Sequence, residues 1–235
     1  MISDKNKFVY IHVPKCGGMT ITNHFLNLTE DYPTNMKGKS TDSIMVRRPD
    51  NITHKHFGNS YMHATLSELR KYYGNNHFTD YYKFATIRNT YERLISLYFW
   101  ATGGSVLDIG RFKHLIGVSG LRGRVGVDFK NGKIKHSRGS APINFFLCDK
   151  DDELLVDDVY DINNITNDVK FIYNNINVDY NPLINKRNTS NHKHYSEYFT
   201  QEMLDIVDDI YEIEVKKFNF KFINKSNKKL ISKYD

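Results

Sequence analysis

The stretch Phe8-Val-Tyr-Ile-His-Val-Pro-Lys-Cys-Gly-Gly-Met-Thr20 decides the fold of this 235-residue chain. Its first part, Phe8 to Val13, is an apolar run that only His12 interrupts, which predicts a buried strand. A glycine turn follows at Lys15 to Gly18, and the next apolar residues recur at the spacing of a helix: Ile21, Phe25 and Leu28. The stretch therefore predicts a strand, a tight turn and a helix in direct succession.

A second strand and helix follow in the same order. Tyr82 to Ile87 predicts another buried strand, which leads directly into a helix whose buried stripe is Tyr91, Leu94, Ile95 and Tyr98. Alternation of strand and helix is typical of the α/β class, so we predict a parallel sheet flanked by helices. In such sheets ligands bind at the carboxyl ends of the strands, where Lys15 and Arg88 both fall.

Local signals place further elements. Thr65-Leu-Ser-Glu68 has the pattern of a capping box and predicts a helix that ends at Gly74. Asn131-Gly132 lies between two strand-like runs and predicts a hairpin. Further strands are predicted around an acidic turn, at Ile143 to Leu147 and at Leu154 to Val159. A last helix is expected to begin near Thr200, with a buried side formed by Leu204, Val207, Tyr211, Val215 and Phe218.

Composition indicates a globular protein. Hydrophobic residues make up 40% and charged residues 26% of the chain, so we predict one domain over residues 1–235, with a basic tail at 224–235 that frays. The aromatic content of 14% predicts a core rich in Tyr and Phe. The formal charge of +6 favours an anionic ligand, although surplus lysines also serve as a solvated surface.

Localisation is inferred from two absences. The two cysteines, Cys16 and Cys148, provide no disulfide framework. The apolar run near the N-terminus is too short for a signal peptide or a membrane span, so we expect a cytoplasmic protein with no membrane span.

The turn after the first strand has the chemistry of an anion-binding loop. Gly17 and Gly18 lack side chains, so backbone N–H groups can approach an anion. The helix N-terminus adds partial positive charge, Lys15 adds a full charge, and the Thr20 hydroxyl can donate a hydrogen bond. The alternative is a tight turn with an exposed lysine. The Walker A pattern is absent.

The second motif is Phe84-Ala-Thr-Ile-Arg-Asn-Thr-Tyr-Glu-Arg-Leu-Ile-Ser96. Arg88 ends the strand and Ser96 lies two turns into the helix, so a guanidinium and a hydroxyl could converge on one phosphate monoester. The alternative is an arginine that caps a sheet edge and a serine that faces solvent.

Together the two motifs resemble the sulfotransferases that use 3′-phosphoadenosine 5′-phosphosulfate (PAPS), in the branch that includes heparan sulfate 2-O-sulfotransferase and its bacterial relatives. The family's His-Ile-Pro-Lys-Thr-Gly-Gly-Thr-Ser-like loop reads HVPKCGGMT here, and its Val-Arg-Asn-Pro-Tyr-x-Arg-Leu-x-Ser-like block reads TIRNTYERLIS. Met62 to Thr65, Asn188 to Tyr195 and the helix that ends at Lys217 to Phe220 resemble further blocks of the family. Cys16 and Met19 stand where the family usually has Thr, and Thr90 stands where it has Pro.

The resemblance implies one sulfotransferase domain with a P-loop-like turn for the phosphosulfate. The implied cofactor-binding residues are Lys15, Cys16, Gly17, Gly18, Met19 and Thr20, with Arg88 and Ser96 at the 3′-phosphate. Lys15 would stabilise the leaving phosphate oxygen, and His63 would act as general base; both are the implied catalytic residues. The donor would be released as 3′-phosphoadenosine 5′-phosphate (PAP), and the chemistry requires no metal.

The implied acceptor is a hydroxyl of a carbohydrate or polysaccharide, and no nucleic-acid partner is expected; the oligomeric state is left open. Residues 101–140 carry eight Lys or Arg against two Asp, so we interpret them as an acceptor-side insertion for an anionic acceptor, or else as a loop kept soluble by its charges. Two other functions stay open: a kinase-like phosphoryl transferase that uses ATP and Mg²⁺, and a non-catalytic binder of acidic polysaccharide.

Overall fold

The computed structural model describes residues 1–29, 63–117, 127–128, 135–136, 138–182 and 193–234. The strands are β1 (Ile2–Ser3), β2 (Phe8–Ile11), β3 (Tyr82–Ile87), β4 (Val127–Asp128), β5 (Lys135–His136) and β6 (Asp158–Asp161). The α-helices are α1 (Gly18–Phe25), α2 (Leu66–Tyr73), α3 (Thr90–Thr102), α4 (Ile109–Leu115), α5 (Ile143–Leu147), α6 (Ile165–Asn175), α7 (Gln201–Ile210) and α8 (Glu212–Lys217). In these ranges no helix is long and apolar enough to cross a membrane.

The chain divides into two compact units. The first comprises Met1–Ile87 and Phe145–Asn188, and the second comprises Arg88–Asn144 and Thr189–Asp235. The expected single domain over residues 1–235 stays a prediction.

The first unit contains a four-stranded sheet in the order β1-β2-β3-β6. β2 and β3 are parallel, with Tyr10 opposite Phe84, and β3 and β6 are also parallel, with Phe84 opposite Asp158. The short β1 is antiparallel to β2. The predicted α/β class is therefore confirmed, although the sheet is mostly and not entirely parallel. The carboxyl ends of β2, β3 and β6 lie at one edge of the sheet.

One face of this sheet carries an aromatic core, as the composition predicted. Phe8 and Tyr10 of β2 point to the same face because side chains alternate along a strand. Phe84 of β3 joins them, with ring centroids 5.2 Å from Tyr10 and 5.9 Å from Phe25 of α1. Helix α6 contributes four further side chains to this cluster: Ile165, Val169, Ile172 and Tyr173.

Local signals located α1 and α2 of the first unit, whereas α6 was not predicted from the sequence. Thr65 caps α2 by accepting a hydrogen bond from the Glu68 N–H at 3.0 Å, and the Glu68 side chain accepts one from the Thr65 N–H at 2.8 Å. The predicted capping box is therefore confirmed, and Gly74 follows the helix. In α1, Ile21 and Phe25 are buried on one face, as their spacing predicted.

The second unit is built around α3. The predicted stripe of this helix is buried: Tyr91, Leu94, Ile95 and Tyr98. Thr200 caps α7 through its side chain, at the predicted start of the last helix. The predicted single helix is divided into α7 and α8, and Phe218 follows α8 instead of lying within it. β4 and β5 pair antiparallel, which confirms the strands of the predicted hairpin, whereas Asn131-Gly132 lies outside the described residues.

Three expectations for the C-terminal half need correction. Ile143–Leu147 is a helix and not a strand, and its buried residues Ile143, Phe146 and Leu147 follow helical spacing. The strand predicted at 154–159 is shifted to Asp158–Asp161, and Leu154 forms only an isolated bridge with Cys148.

The third correction concerns the tail, which docks instead of fraying. Leu230 and Ser232 are buried, and the Ser232 hydroxyl donates to Asp208 Oδ2 at 2.8 Å. The Lys233 N–H donates to the same oxygen at 2.8 Å. A buried carboxylate thus holds the tail within the second unit.

Candidate active site

The predicted anion-binding loop connects the end of β2 to the start of α1. Two of its residues lie in the left-handed region, Lys15 with φ 64° and Gly17 with φ 73°. Gly17 is the N-cap of α1, so the first N–H groups of this helix have no acceptor within the helix. The turn therefore presents backbone donors and the Lys15 side chain at the carboxyl end of a parallel strand.

Packing explains why both glycines of the loop are required. A Cβ on Gly17 would lie 2.3 Å from Ile162, which follows β6, and a Cβ on Gly18 would lie 1.9 Å from the His12 ring. The Ile162 N–H in turn donates to the Ile87 carbonyl at 2.9 Å, at the end of β3. The ends of three strands thus meet around this turn, and the glycines let it lie against them.

A chain of two hydroxyl groups, from Tyr10 and Thr86, connects the sheet to the loop. Thr86 Oγ1 of β3 donates to the Cys16 carbonyl at 2.7 Å, because a carbonyl can only accept. Its single proton is then used, so it accepts from the Tyr10 hydroxyl at 2.8 Å. Burial raises the pKa of Tyr10 well above its usual range, which keeps that hydroxyl protonated as a donor.

The loop side chains differ in their exposure. Lys15 and Met19 are half-buried, whereas Thr20 is buried. The Cys16 side chain is fully buried, so in this structure only its backbone could contact a bound anion. The residues predicted for the phosphosulfate therefore span the loop and the first residues of α1, and Lys15 carries the charge.

His63 lies next to this turn. Its Nδ1 is 2.9 Å from the His12 carbonyl oxygen, and the two imidazole centroids are 4.7 Å apart at an interplanar angle of 71°. Since the carbonyl oxygen can only accept, Nδ1 must carry the proton, and in neutral His63 the lone pair is on Nε2. This is the tautomer that a general base acting through Nε2 requires. Two further histidines that precede Arg88, His54 and His56, are alternative candidates for the base and lie outside the described residues.

Arg88 and Ser96 belong to the second unit. Arg88 directly follows β3, and its Nη2 donates to Glu92 Oε1 one helical turn further on, at 2.6 Å. Ser96 is buried in α3 and does not face solvent. Their role at a 3′-phosphate stays a prediction.

Three residues that support the loop were not identified from the sequence. The ring of His12 contacts both Gly18 and His63, Thr86 bonds the loop backbone, and Ile162 packs against Gly17. His12 had one visible signal, since it is the polar residue in an otherwise apolar strand. Ile162 had none, because its contact joins residues far apart in the chain.

The fold and this site define an α/β protein with a lysine-bearing turn at the carboxyl edge of a mostly parallel sheet. Residues 1–102 match the model of the sulfotransferase family. The predicted family is therefore confirmed over this segment, which contains the loop, His63, Arg88 and Ser96. The match supports a transferase that acts by sulfonyl transfer in general, on an acceptor substrate.

No curated protein and no solved structure matches the chain. Within the described ranges, no group of three or more His, Cys, Asp or Glu side chains could hold a metal ion. That the reaction needs no metal stays a prediction.

Proposed function

We propose that the chain transfers a sulfonate group from PAPS to a hydroxyl of an acceptor, which we take to be a carbohydrate. One observation carries the proposal. Lys15 lies in a turn next to His63, and the hydrogen bond from His63 Nδ1 to the His12 carbonyl leaves Nε2 as the basic nitrogen. A cation and a base beside one anion-binding turn are the two groups that sulfonate transfer needs.

The loop fits the donor in its chemistry. Its positive groups are the Lys15 ammonium and the N-terminus of α1, and no Asp or Glu occurs between Phe8 and Thr29. PAPS supplies the sulfonate group, and its leaving phosphate develops negative charge during transfer. Lys15 and the amides of Gly17 and Gly18 would stabilise that charge. Thr20 would add a hydroxyl donor.

His63 would accept the proton of the acceptor hydroxyl. An alcohol has a high pKa and is a poor nucleophile while protonated, so a base that removes the proton during attack raises the rate. The bond from Nδ1 to the His12 carbonyl leaves Nε2 as the accepting atom. The same bond stabilises the imidazolium that forms.

Arg88 and Ser96 would bind the 3′-phosphate of the donor. The Arg88 guanidinium is held by Glu92, with side-chain exposures of 18% and 21%, so the cation is partly shielded from water. A partly buried guanidinium binds phosphate more strongly than an exposed one, because water competes less. The family match covers both residues.

For the acceptor, we propose a glycan that bears negative charge. Residues 101–140 have a surplus of Lys and Arg, and among the described ones Arg111 and Lys113 lie on α4. A cytoplasmic location remains part of the proposal and rests on the sequence argument alone.

The decisive experiment compares nucleotides. The protein is incubated separately with PAPS and with ATP plus Mg²⁺, and native mass spectrometry identifies the bound nucleotide. Transfer of radiolabelled sulfonate to a panel of glycans is measured in parallel. We expect PAPS binding and labelled product. Binding of ATP with metal-dependent turnover would establish a kinase instead, and salt-sensitive glycan binding without turnover would establish a polysaccharide-binding protein.

A further inference from the structure

His12 is a buried imidazole whose nitrogen Nδ1 finds no hydrogen-bond partner among the described residues. Its side chain is only 5% exposed. A buried polar atom without a partner is uncommon and costs free energy, so an apolar residue would suit this strand better if packing were the only requirement. Packing alone therefore does not account for a histidine at position 12.

The surroundings of the His12 ring explain its orientation. Tyr10 stacks on one side, with centroids 6.1 Å apart, and Gly18 leaves the space that the ring occupies beside the loop. The ring of His63 meets it edge to face, at 4.7 Å. The His12 imidazole thus lies between the anion-binding turn and the proposed base.

His12 contacts His63 in two chemically different ways. Its carbonyl oxygen accepts the Nδ1 proton of His63, which selects the tautomer. Its ring supplies a wall that limits rotation of the His63 ring, since edge-to-face pairs have preferred geometries. Loss of the wall would let the His63 ring turn and weaken the bond to the carbonyl.

The charge state of His12 suits this position. Burial lowers the pKa of His12 well below its usual value, and the nearby His63, the N-terminal ammonium and Lys15 lower it further. The ring is therefore neutral at neutral pH. A neutral neighbour leaves the basicity of His63 intact, whereas a cation there would reduce it.

We propose that the His12 side chain is a positioning residue for His63, which it holds in the Nδ1–H tautomer with Nε2 as the basic atom. The proposal rests on the proposed role of His63 as general base. His12 itself would contact neither donor nor acceptor.

The test uses His12→Ala, which removes the wall but keeps the carbonyl, and His12→Phe, which keeps an aromatic ring. His24→Ala is the matched control, because His24 is another partly buried ring of this unit, packed on Phe25 and Tyr173. Each variant is labelled with ¹⁵N-histidine, and the imidazole nitrogen shifts of His63 are recorded along with kcat, KM and the melting temperature.

We expect wild-type His63 to show the Nδ1–H tautomer and His12→Ala to show a mixture of both. The kcat of His12→Ala should fall about 10- to 100-fold with little change in the KM for the donor, because small displacements of a catalytic group have effects of this size. His12→Phe should recover much of the loss, and His24→Ala should change only the melting temperature.

An unchanged His63 tautomer in His12→Ala would overturn the proposal, as would an equal loss of kcat in His12→Ala and His24→Ala. The nitrogen shifts need no turnover. They therefore test the contact even if PAPS proves not to be the donor, and failure of the proposed function can be told apart from failure of this inference.

Discussion

At the scale of single residues, Lys15 is held in a conformation that costs free energy. A non-glycine residue in the left-handed region is destabilised by about 1–2 kcal/mol relative to its favoured conformations, and Lys15 has φ 64°. Glycine would adopt the same backbone at no steric cost. The role that we propose for the Lys15 charge would account for a lysine in this strained conformation.

The first prediction separates that charge from the fold. Lys15→Ala and Lys15→Gly should both abolish turnover, because neither can stabilise the leaving phosphate oxygen. Lys15→Gly should be at least as stable as the wild type, since it relieves the left-handed strain. Activity is measured with labelled PAPS and stability by urea unfolding. Near-normal turnover by either variant would show that the loop has been misassigned.

The second prediction concerns Arg88. Arg88→Ala should weaken PAP binding about tenfold to a hundredfold, the usual effect of losing a charged hydrogen bond, and Ser96→Ala should weaken it in the same direction. Binding of adenosine 5′-phosphate, which lacks the 3′ group, should change much less.

Glu92→Gln is the control for Arg88, because it removes the carboxylate that holds the guanidinium at 2.6 Å. It should leave PAP affinity unchanged or raise it. Calorimetry that finds equal losses for both nucleotides in Arg88→Ala would argue against a 3′-phosphate site.

At the scale of elements, the turn at Lys15 to Gly18 depends on the strands that it contacts. Thr86 of β3 connects the sheet to this turn, because its hydroxyl donates to the Cys16 carbonyl and accepts from the Tyr10 hydroxyl. A second threonine hydroxyl makes a buried hydrogen bond at the start of α3, where Thr90 stands at the position at which the resembled family has Pro. The Thr90 hydroxyl donates to Glu214 Oε1 at 2.5 Å, which a proline could not do.

The third prediction tests the anchor below the loop. Thr86→Val keeps the shape but leaves the Cys16 carbonyl and the Tyr10 hydroxyl without their partner. It should cost about 1–3 kcal/mol in the free energy of unfolding and also weaken donor binding. Thr79→Val is the control, since this exposed threonine makes a similar bond to the Asn76 carbonyl at 2.9 Å. Thr86→Val with unchanged donor affinity would mean that the loop keeps its shape without the anchor.

At the scale of the whole molecule, the two units are stabilised by different interactions. The first unit relies on its aromatic cluster, whereas the second encloses a fully buried ion pair, Arg93 with Glu214 at 3.2 Å. Arg93 also donates to the Ala141 carbonyl at 3.2 Å, and the Glu214 carboxylate accepts the Ile143 N–H. This network joins α3, α5 and α8.

The fourth prediction is that Glu214→Ala destabilises the protein strongly. Removal of one member of a buried ion pair leaves the other charge uncompensated and typically costs about 3–5 kcal/mol. Glu212→Ala on the same helix is the control, because Glu212 pairs with the exposed Lys216 and should matter little. Chemical denaturation measures both. Similar, small losses in the two variants would mean that the buried pair contributes no more than a surface pair.

The fifth prediction concerns the acceptor. If residues 101–140 bind an anionic glycan, the acceptor KM should rise steeply with salt, because exposed charge pairs are screened over about 8–10 Å at physiological ionic strength. Joint replacement of Arg122 and Arg124 by Ala should raise this KM and leave PAPS affinity unchanged; both residues lie outside the described part of the chain.

Joint replacement of Lys7 and Lys150 by Ala removes the same charge elsewhere and should have little effect on the acceptor KM. A neutral acceptor that is turned over equally well at low and high salt would refute an electrostatic acceptor site.

The sequence by itself determined the elements whose signals are local. The bounds of β3, the capping box of α2 and the buried stripe of α3 follow from the side chains within each segment. The family was also readable over residues 1–102, because the order and spacing of its motifs are properties of the chain.

Tertiary structure decided what depends on residues distant in sequence. The apolar run Ile143–Leu147 is too short for its periodicity to distinguish strand from helix, and its first N–H is held by Glu214. The tail is ordered by a carboxylate in α7, and Gly17 is required by Ile162. The pairing of His12 with His63 likewise depends on folding. Only the fold brings His12, after β2, and His63, before α2, to hydrogen-bonding distance.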